Sequence, residues 1–283
     1  MARRPRGVPA SRSYVFRREP LAEAIRASNK ACFTHAELAE LARMDTRERA
    51  PAAVRQLIEQ GVLVRLAQGL YGHGSPNKPV PSPADIIQWR FGANSHLAFD
   101  SAMQAHGREG PISSGTVFVR GESSPKAFAV TDSLDAISLA MGSRWEHGVV
   151  RVQVDGLGEI WVSDTLCTAL DGLQSPQHCG GILRVARFVA AHQASWSDAQ
   201  LVEVARRAPQ FCIQRLGYLV KLCGRDVPAS LRLNKLERDR RALVLDVNAP
   251  RVNGDADRLW RINVNVNRNQ LAAALAGPGP VLP

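Results

Sequence analysis

The chain has 283 residues, 45% hydrophobic and 22% charged, an ordinary globular balance with room for two modest cores, and no apolar run reaches the roughly 18 to 20 residues of a membrane helix. Its five scattered cysteines (Cys32, Cys167, Cys179, Cys212 and Cys223) include no CxxC pair, which argues against a disulfide framework and a zinc ribbon and fits free thiols in a reducing cytoplasm. The net charge of +10 is uneven: residues 1–75 hold 13 Lys+Arg against 7 Asp+Glu, residues 76–223 hold 13 against 13, and residues 224–283 hold 10 against 6.

A basic N-terminal stretch beside a neutral one twice as long points to one module that meets a polyanion and another that does not. The first eighteen residues, MARRPRGVPASRSYVFRR, carry six arginines, among them Arg3, Arg4 and Arg6, and no acid. Pro5, Gly7 and Pro9 oppose the amphipathic helix of a transit peptide. The segment reads as a flexible basic arm, suited to phosphates or a minor groove, or as a solvated terminus.

A first helix follows in EPLAEAIRAS, with Leu21, Ala24 and Ile25 on one face. A second begins at Thr34, with Glu37 completing a capping box, and carries Ala36, Leu38, Ala39 and Leu41 as its inward stripe to about Arg43. The third is expected over residues 50–60, with Pro51 in its first turn and Gly61 at its end. There Val54, Leu57 and Ile58 face inward, and Ala52, Arg55, Gln56 and Glu59 outward. The phrase GVLVRLAQGLYG then reads as a hairpin in which Val62, Val64 and Leu66 alternate with Leu63 and Arg65 about a pivot near Gln68. Helix, helix, turn, helix and hairpin is the order of a winged helix-turn-helix. In that reading Arg47 and Arg49 lie at the approach of the recognition helix to the major groove, Arg55 and Gln56 reach base edges, and Arg65 and Gln68 on the wing reach phosphate or a minor groove. The same unit also serves protein recognition, so a protein-binding adaptor is the alternative.

Four prolines in GHGSPNKPVPSPADI mark a semi-rigid linker. Beyond it the pattern is mixed. NSHLAFDSAMQAHG reads as a capped helix, TVFVRG as a strand, and GVVRVQVDGLGEIWVSD as a hairpin turning at Gly156–Gly158. Helices are expected in SDTLCTALDGL, GILRVARFVAAHQ, SDAQLVEVARRA (a Ser197/Gln200 capping box) and PQFCIQRLGYLVKLCG. RLWRINVNVN alternates strictly, which predicts a strand with Trp260, Ile262, Val264 and Val266 buried and Arg261, Asn263, Asn265 and Asn267 on a polar face. Arg232, Lys235, Arg238, Arg240 and Arg241 form a basic stretch interleaved with Glu237 and Asp239, which suits a second DNA-contacting face or a solvated helix. The last residues read as a short helix fraying into a tail.

Four phrases, GVLVRLAQGLYG, SHLAFDSAMQAHG, VSDTLCTALDGLQSPQHCGG and IQRLGYLVKLCG, stand in an order that resembles the AbiEi-type antitoxins and transcriptional regulators of type IV toxin-antitoxin systems. The resemblance spans most of residues 34–224. Cys167 precedes Thr168 where that family usually has arginine. The resemblance implies a DNA-binding autorepressor whose functional partner is a nucleotidyltransferase-like toxin, countered without a stable complex.

No Walker loop, GxGxxG after a strand, HExxH or GxSxG occurs. The acids Asp155, Glu159, Asp164 and Asp171 cluster near a strand–helix junction as nuclease acids do, but read as caps and turn residues. His178 beside Cys179 lacks a third partner and reads as loop. The expectation is therefore no enzyme, no cofactor and no metal. The expected α/β (α+β) organisation is a basic flexible arm (1–18), a winged helix-turn-helix (19–72), a proline-rich linker (73–86), a mixed α/β domain (87–270) and a tail (271–283). Such a protein would be cytoplasmic and would bind double-stranded DNA at its own promoter, with two protomers on an inverted repeat.

Overall fold

The computed structural model of the protein describes residues 19–42, 50–67, 69–78, 80–92, 94–107, 111–112, 115–120, 127–139, 148–228, 242–251 and 256–276. The protein is mixed α/β, with ten α-helices and three sheets among the described residues. It divides into two compact units, Met1–Pro81 and Ser82–Pro283. Among the described residues no helix is long and apolar enough to cross a membrane.

The first unit runs α1 (Glu19–Ala27), β1 (Cys32–Thr34), α2 (His35–Leu41), α3 (Ala50–Glu59), β2 (Leu63–Ala67) and β3 (Leu70–His73). Its strands form one antiparallel sheet in the order β1-β3-β2. Leu21, Ile25, Phe33, Leu38, Val54, Leu57, Leu63 and Tyr71 make its core, each large side chain stabilising by about 1.5–3 kcal/mol when fully buried. Thr34 closes β1 and caps α2: its Oγ1 accepts from Glu37 N at 3.0 Å, and Glu37 Oε2 accepts from Thr34 N at 2.8 Å.

Three features of this unit depart from the sequence pattern. β1 has no sequence signal of its own; it exists because Cys32, Phe33 and Thr34 pair with Gly72, Tyr71 and Leu70, some forty residues on. On α2, Leu38 is buried but Ala36 and Leu41 are exposed, since at about 100° per residue the four expected inward positions spread round more than half the helix. On β2, Val64 is 42% exposed while Leu63 is fully buried. The register slips between Arg65 and Ala67, so the strict alternation does not run through the strand.

The second unit is built on a six-stranded mixed sheet of order β6-β7-β5-β4-β9-β8. In chain order it runs α4 (Pro83–Phe91), β4 (His96–Leu97), α5 (Phe99–Gly107), β5 (Gly115–Arg120), β6 (Ala127–Ala129), β7 (Leu134–Ser138), β8 (Val149–Val154) and β9 (Gly158–Ser163). Then follow α6 (Thr165–Gln174), α7 (Ile182–His192), α8 (Asp198–Arg207) and α9 (Gln210–Leu222). β10 (Leu243–Val244), β11 (Ala256–Asp257) and β12 (Ile262–Asn263) form a small sheet of order β10-β12-β11 before α10 (Arg268–Leu275). β5 and β7 pair in parallel, as do β4 and β9; β8 and β9 form the expected hairpin.

The helices pack closely where glycine permits. A Cβ on Gly172 of α6 would lie 2.8 Å from Val185 of α7, and one on Gly217 of α9 would lie 2.1 Å from the indole of Trp260. Asp164 caps α6, and Ser197 with Gln200 caps α8 in the expected box.

Here too the structure departs from the sequence pattern. α4 begins at Pro83 behind a Ser82/Asp85 capping box, so the expected linker over 73–86 gives way to strand at His73 and helix from Pro83. The expected capped helix over 94–107 is strand β4 followed by α5, because His96 and Leu97 pair with β5 on one side and Leu97 with β9 on the other. In RLWRINVNVN only Ile262 and Asn263 join a ladder. Asn265, expected on a polar face, is buried: its amide nitrogen donates to the carbonyls of Asp246 (2.8 Å), Ala249 (3.0 Å) and Pro250 (3.2 Å), which satisfies it away from water. Of the expected tail over 271–283, Leu271 and Ala274 sit in the core on α10. His178 and Cys179, expected in a loop, fall in a single 3₁₀ turn.

Candidate nucleic-acid interface

α3 turns Val54 and Leu57 into the core of the first unit. That places Arg55 on the exposed side and leaves Gln56 half-buried at its edge, with Ala52 and Glu59 also exposed. A short turn over residues 60–62, with Gly61 at φ +68°, leads from α3 into β2, which packs against the same helix. Arg65 lies on the exposed part of β2, opposite Tyr71 on β3. Leu66 folds over Gly72, where a Cβ would meet its Cδ1 at 3.0 Å. Burial pushes the Tyr71 phenol up, against the opposing charge of Arg65, and its hydroxyl is 2.8 Å from His35 Nε2.

The structure thus brings Arg55, Gln56 and Arg65 onto one small unit. The other expected contact residues, Arg3, Arg4, Arg6, Arg47, Arg49 and Gln68, lie outside the described residues, as does the basic stretch 232–241.

The charge on this unit is divided. Its described cations are Arg26, Lys30, Arg55, Arg65 and Lys78, matched in number by Glu19, Glu23, Glu37, Glu40 and Glu59. The excess therefore belongs to residues 1–18 and 43–49, which carry nine arginines against Asp45 and Glu48. Lys30 binds Glu37 at 2.7 Å, and Lys78 donates to the Ser28 carbonyl at 3.0 Å. The Glu37 contact raises Lys30; burial pushes Glu37 up, but Lys30 and the Thr34 cap outweigh it and hold that carboxyl below its ordinary value. Arg55 and Arg65 form no such pair among the described residues, so their guanidinium groups face outward unneutralised.

The acids of the second unit occupy separate stations. Asp155 is an exposed turn residue, Glu159 pairs with Arg151 at 3.1 Å, Asp164 caps α6, and Asp171 pairs with Arg120. Cys179 is fully buried, and the His178 ring packs edge-on against Phe99 at 5.6 Å. Among the described residues no three His, Cys, Asp or Glu side chains converge as a metal site.

The fold has a solved counterpart. The RV2827C protein from Mycobacterium tuberculosis, known as a crystal structure, superposes with a TM-score of 0.52, covering 86% of this chain and 89% of that one at 14% identity. At that identity the likeness is one of fold across most of both chains. No family model matches the chain, and no curated protein matches it.

Sequence reasoning missed the exposed Val64 beside Arg65 and the Tyr71–His35 contact. Neither has a local signature, because the first depends on Leu63 taking the buried side of β2 and the second joins residues thirty-six apart.

Proposed function

We propose that the protein is a DNA-binding transcriptional autorepressor and antitoxin of the type IV kind, and that its first unit is a winged helix in which α2 and α3 form the helix-turn-helix and β2–β3 the wing. The observation that carries this reading is that α3 and the adjoining β2 each expose an arginine without an acidic partner among the described residues, Arg55 and Arg65, in a unit whose first eighteen residues hold six arginines and no acid in sequence. The antitoxin role rests on the sequence resemblance described above. On this reading the partners are double-stranded DNA at the protein's own promoter, bound as an inverted repeat, and a nucleotidyltransferase-like toxin countered without a stable complex. The protein works in the cytoplasm, with no catalysis, cofactor or metal of its own.

The test is fluorescence anisotropy on the protein's own upstream region, comparing the full chain with residues 82–283 across a salt series. The full chain binds with a steep loss of affinity as salt releases counterions, and residues 82–283 bind weakly or not at all. Equal binding by the two would overturn the reading. A protein-binding adaptor is the second reading, favoured by the exposed Leu41 and Val64, 41% and 42% open on the same unit; it predicts salt-insensitive failure to bind the upstream DNA.

A further inference from the structure

The six-stranded sheet ends in two unlike edges. β6 is three residues long, whereas β8 runs for six, VVRVQV, and pairs with β9 at every position from Val149 to Val154 without a slip. Natural edges are blunted by shortness, proline, bulges or outward lysines. β8 has none of these. Its one charge, Arg151, does not guard the edge either, since it stacks over Trp161 at 5.4 Å and pairs with Glu159, both on β9.

The side chains of β8 fall into two sets. Val150 and Val152 stand opposite Val162 and Ile160, which are fully buried, so with Val154 they share the covered side of the sheet. Val150 is nevertheless 40% exposed and Val149 38%, because no described strand lies beyond them. An apolar row on the covered side of a sheet, open only at its edge, is completed by another strand with the same pattern.

We propose that β8 is a dimer interface, pairing antiparallel with β8 of a second copy about a two-fold axis through Val152, so that two sheets of six strands become one of twelve. Opposed residues in an antiparallel pair share a face, and this register sets Val152 against its own copy, Val150 against Val154 of the second copy, and Arg151 against Gln153 of the second copy. All five residues from 150 to 154 are then paired within the strand. A two-fold through Arg151 also pairs five, but sets arginine against arginine, which is destabilising. One through Gln153 pairs only three before running into the turn at Asp155. Each Arg151 keeps its own Glu159, so no unpaired charge enters the interface. The contact is isologous and closes at two copies. It does not depend on the DNA-binding reading.

Two measurements on the full chain test it. Sedimentation equilibrium at high micromolar concentration gives twice the 30.8 kDa chain mass for the natural protein, and Val150→Lys together with Val152→Lys halves it, with the helical circular dichroism unchanged. In a Cys32→Ser, Cys223→Ser background, mild oxidation cross-links Val152→Cys, whose copies lie about 4.5–5.5 Å apart across the axis. Arg151→Cys does not cross-link, as its copies are about 8 Å apart by the same geometry. A natural protein of single-chain mass overturns the proposal. So does a dimer that survives the lysines, or equal cross-linking at 151 and 152.

Discussion

Arg120 and Asp171 form an ion pair sealed inside the second unit: Arg120 closes β5 with 7% of its surface exposed, and Asp171 lies on α6, fifty-one positions later, with none. The Phe99 ring lies 5.6 Å from the guanidinium. Burial pushes the Asp171 carboxyl up from an ordinary 3.8 to about 7, with Arg120 opposing the shift. Between about pH 4 and pH 7 the folded protein therefore holds a proton that the unfolded chain has released, so the Arg120–Asp171 contact is a full ion pair above about pH 7, and stability contributed by this group is full below about pH 4 and falls as pH rises to about 7. Urea midpoints across that range decline in the natural protein and flatten in Asp171→Asn. Arg120→Met, which leaves the carboxyl buried without its cation, costs about 3–5 kcal/mol above neutral pH. A flat natural profile would remove the argument for a buried titrating group.

The approach of α9 to Trp260 rests on a missing methyl group. Gly217→Ala places a Cβ where the buried indole lies, and overpacking of this kind costs about 1–3 kcal/mol, more than offsetting the gain of about 1 kcal/mol that alanine brings to a helix. Thermal unfolding with Trp fluorescence reads both the loss and the displacement of the indole. Gly217→Ala at or above the natural midpoint would show that the indole moves aside at no cost.

The capping box at Thr34 is exchanged by two hydrogen bonds, so Thr34→Ala removes the acceptor for Glu37 N and costs about 0.5–2 kcal/mol. Because Thr34 also ends β1, the loss is read in the first unit. Amide exchange at residues 35–38 speeds up, while exchange in α6 and α9 does not change.

Thiol chemistry separates the five cysteines. Cys167, Cys179 and Cys212 are buried, and burial pushes all three thiols up, Cys212 to about 12. Only a thiolate alkylates. Iodoacetamide at mildly alkaline pH therefore labels at most Cys32 and Cys223 in the folded protein, and mass spectrometry finds all five labelled after denaturation. Rapid native labelling of Cys212 would contradict its burial.

On the proposed DNA-binding surface, Arg55 and Arg65 divide the work. Arg55→Ala costs about 1–3 kcal/mol on the operator and little on random DNA, whereas Arg65→Ala weakens both alike and lowers the salt slope by about one. Anisotropy titrations on operator and scrambled sequence separate the two, and equal losses on both DNAs for Arg55→Ala would refute the base-reading role.

What could be read from the sequence alone is what depends on neighbours a few residues away. The boxes Thr34/Glu37 and Ser197/Gln200 announce their helices because a cap and its partner are three residues apart. The β8–β9 hairpin is legible because its turn is local, and Val54 and Leu57 mark the inner face of α3, and so the outer face carrying Arg55, by helical period alone. The concentration of arginine in residues 1–18 is likewise a property of the chain before it folds. Only the tertiary structure decided the rest, where the partner is distant. β1 and β4 become strands because remote segments offer them hydrogen bonds, Leu63 and not Val64 turns into the core of the first unit, and Asn265 is buried because three carbonyls from residues 246–250 close around it. Asp171, which by sequence reads as a cap or turn acid, lies inside α6 beside Arg120, and the fold takes both out of water. Periodicity records which face of an element is apolar; which partner meets that face depends on a pairing between residues far apart in the chain.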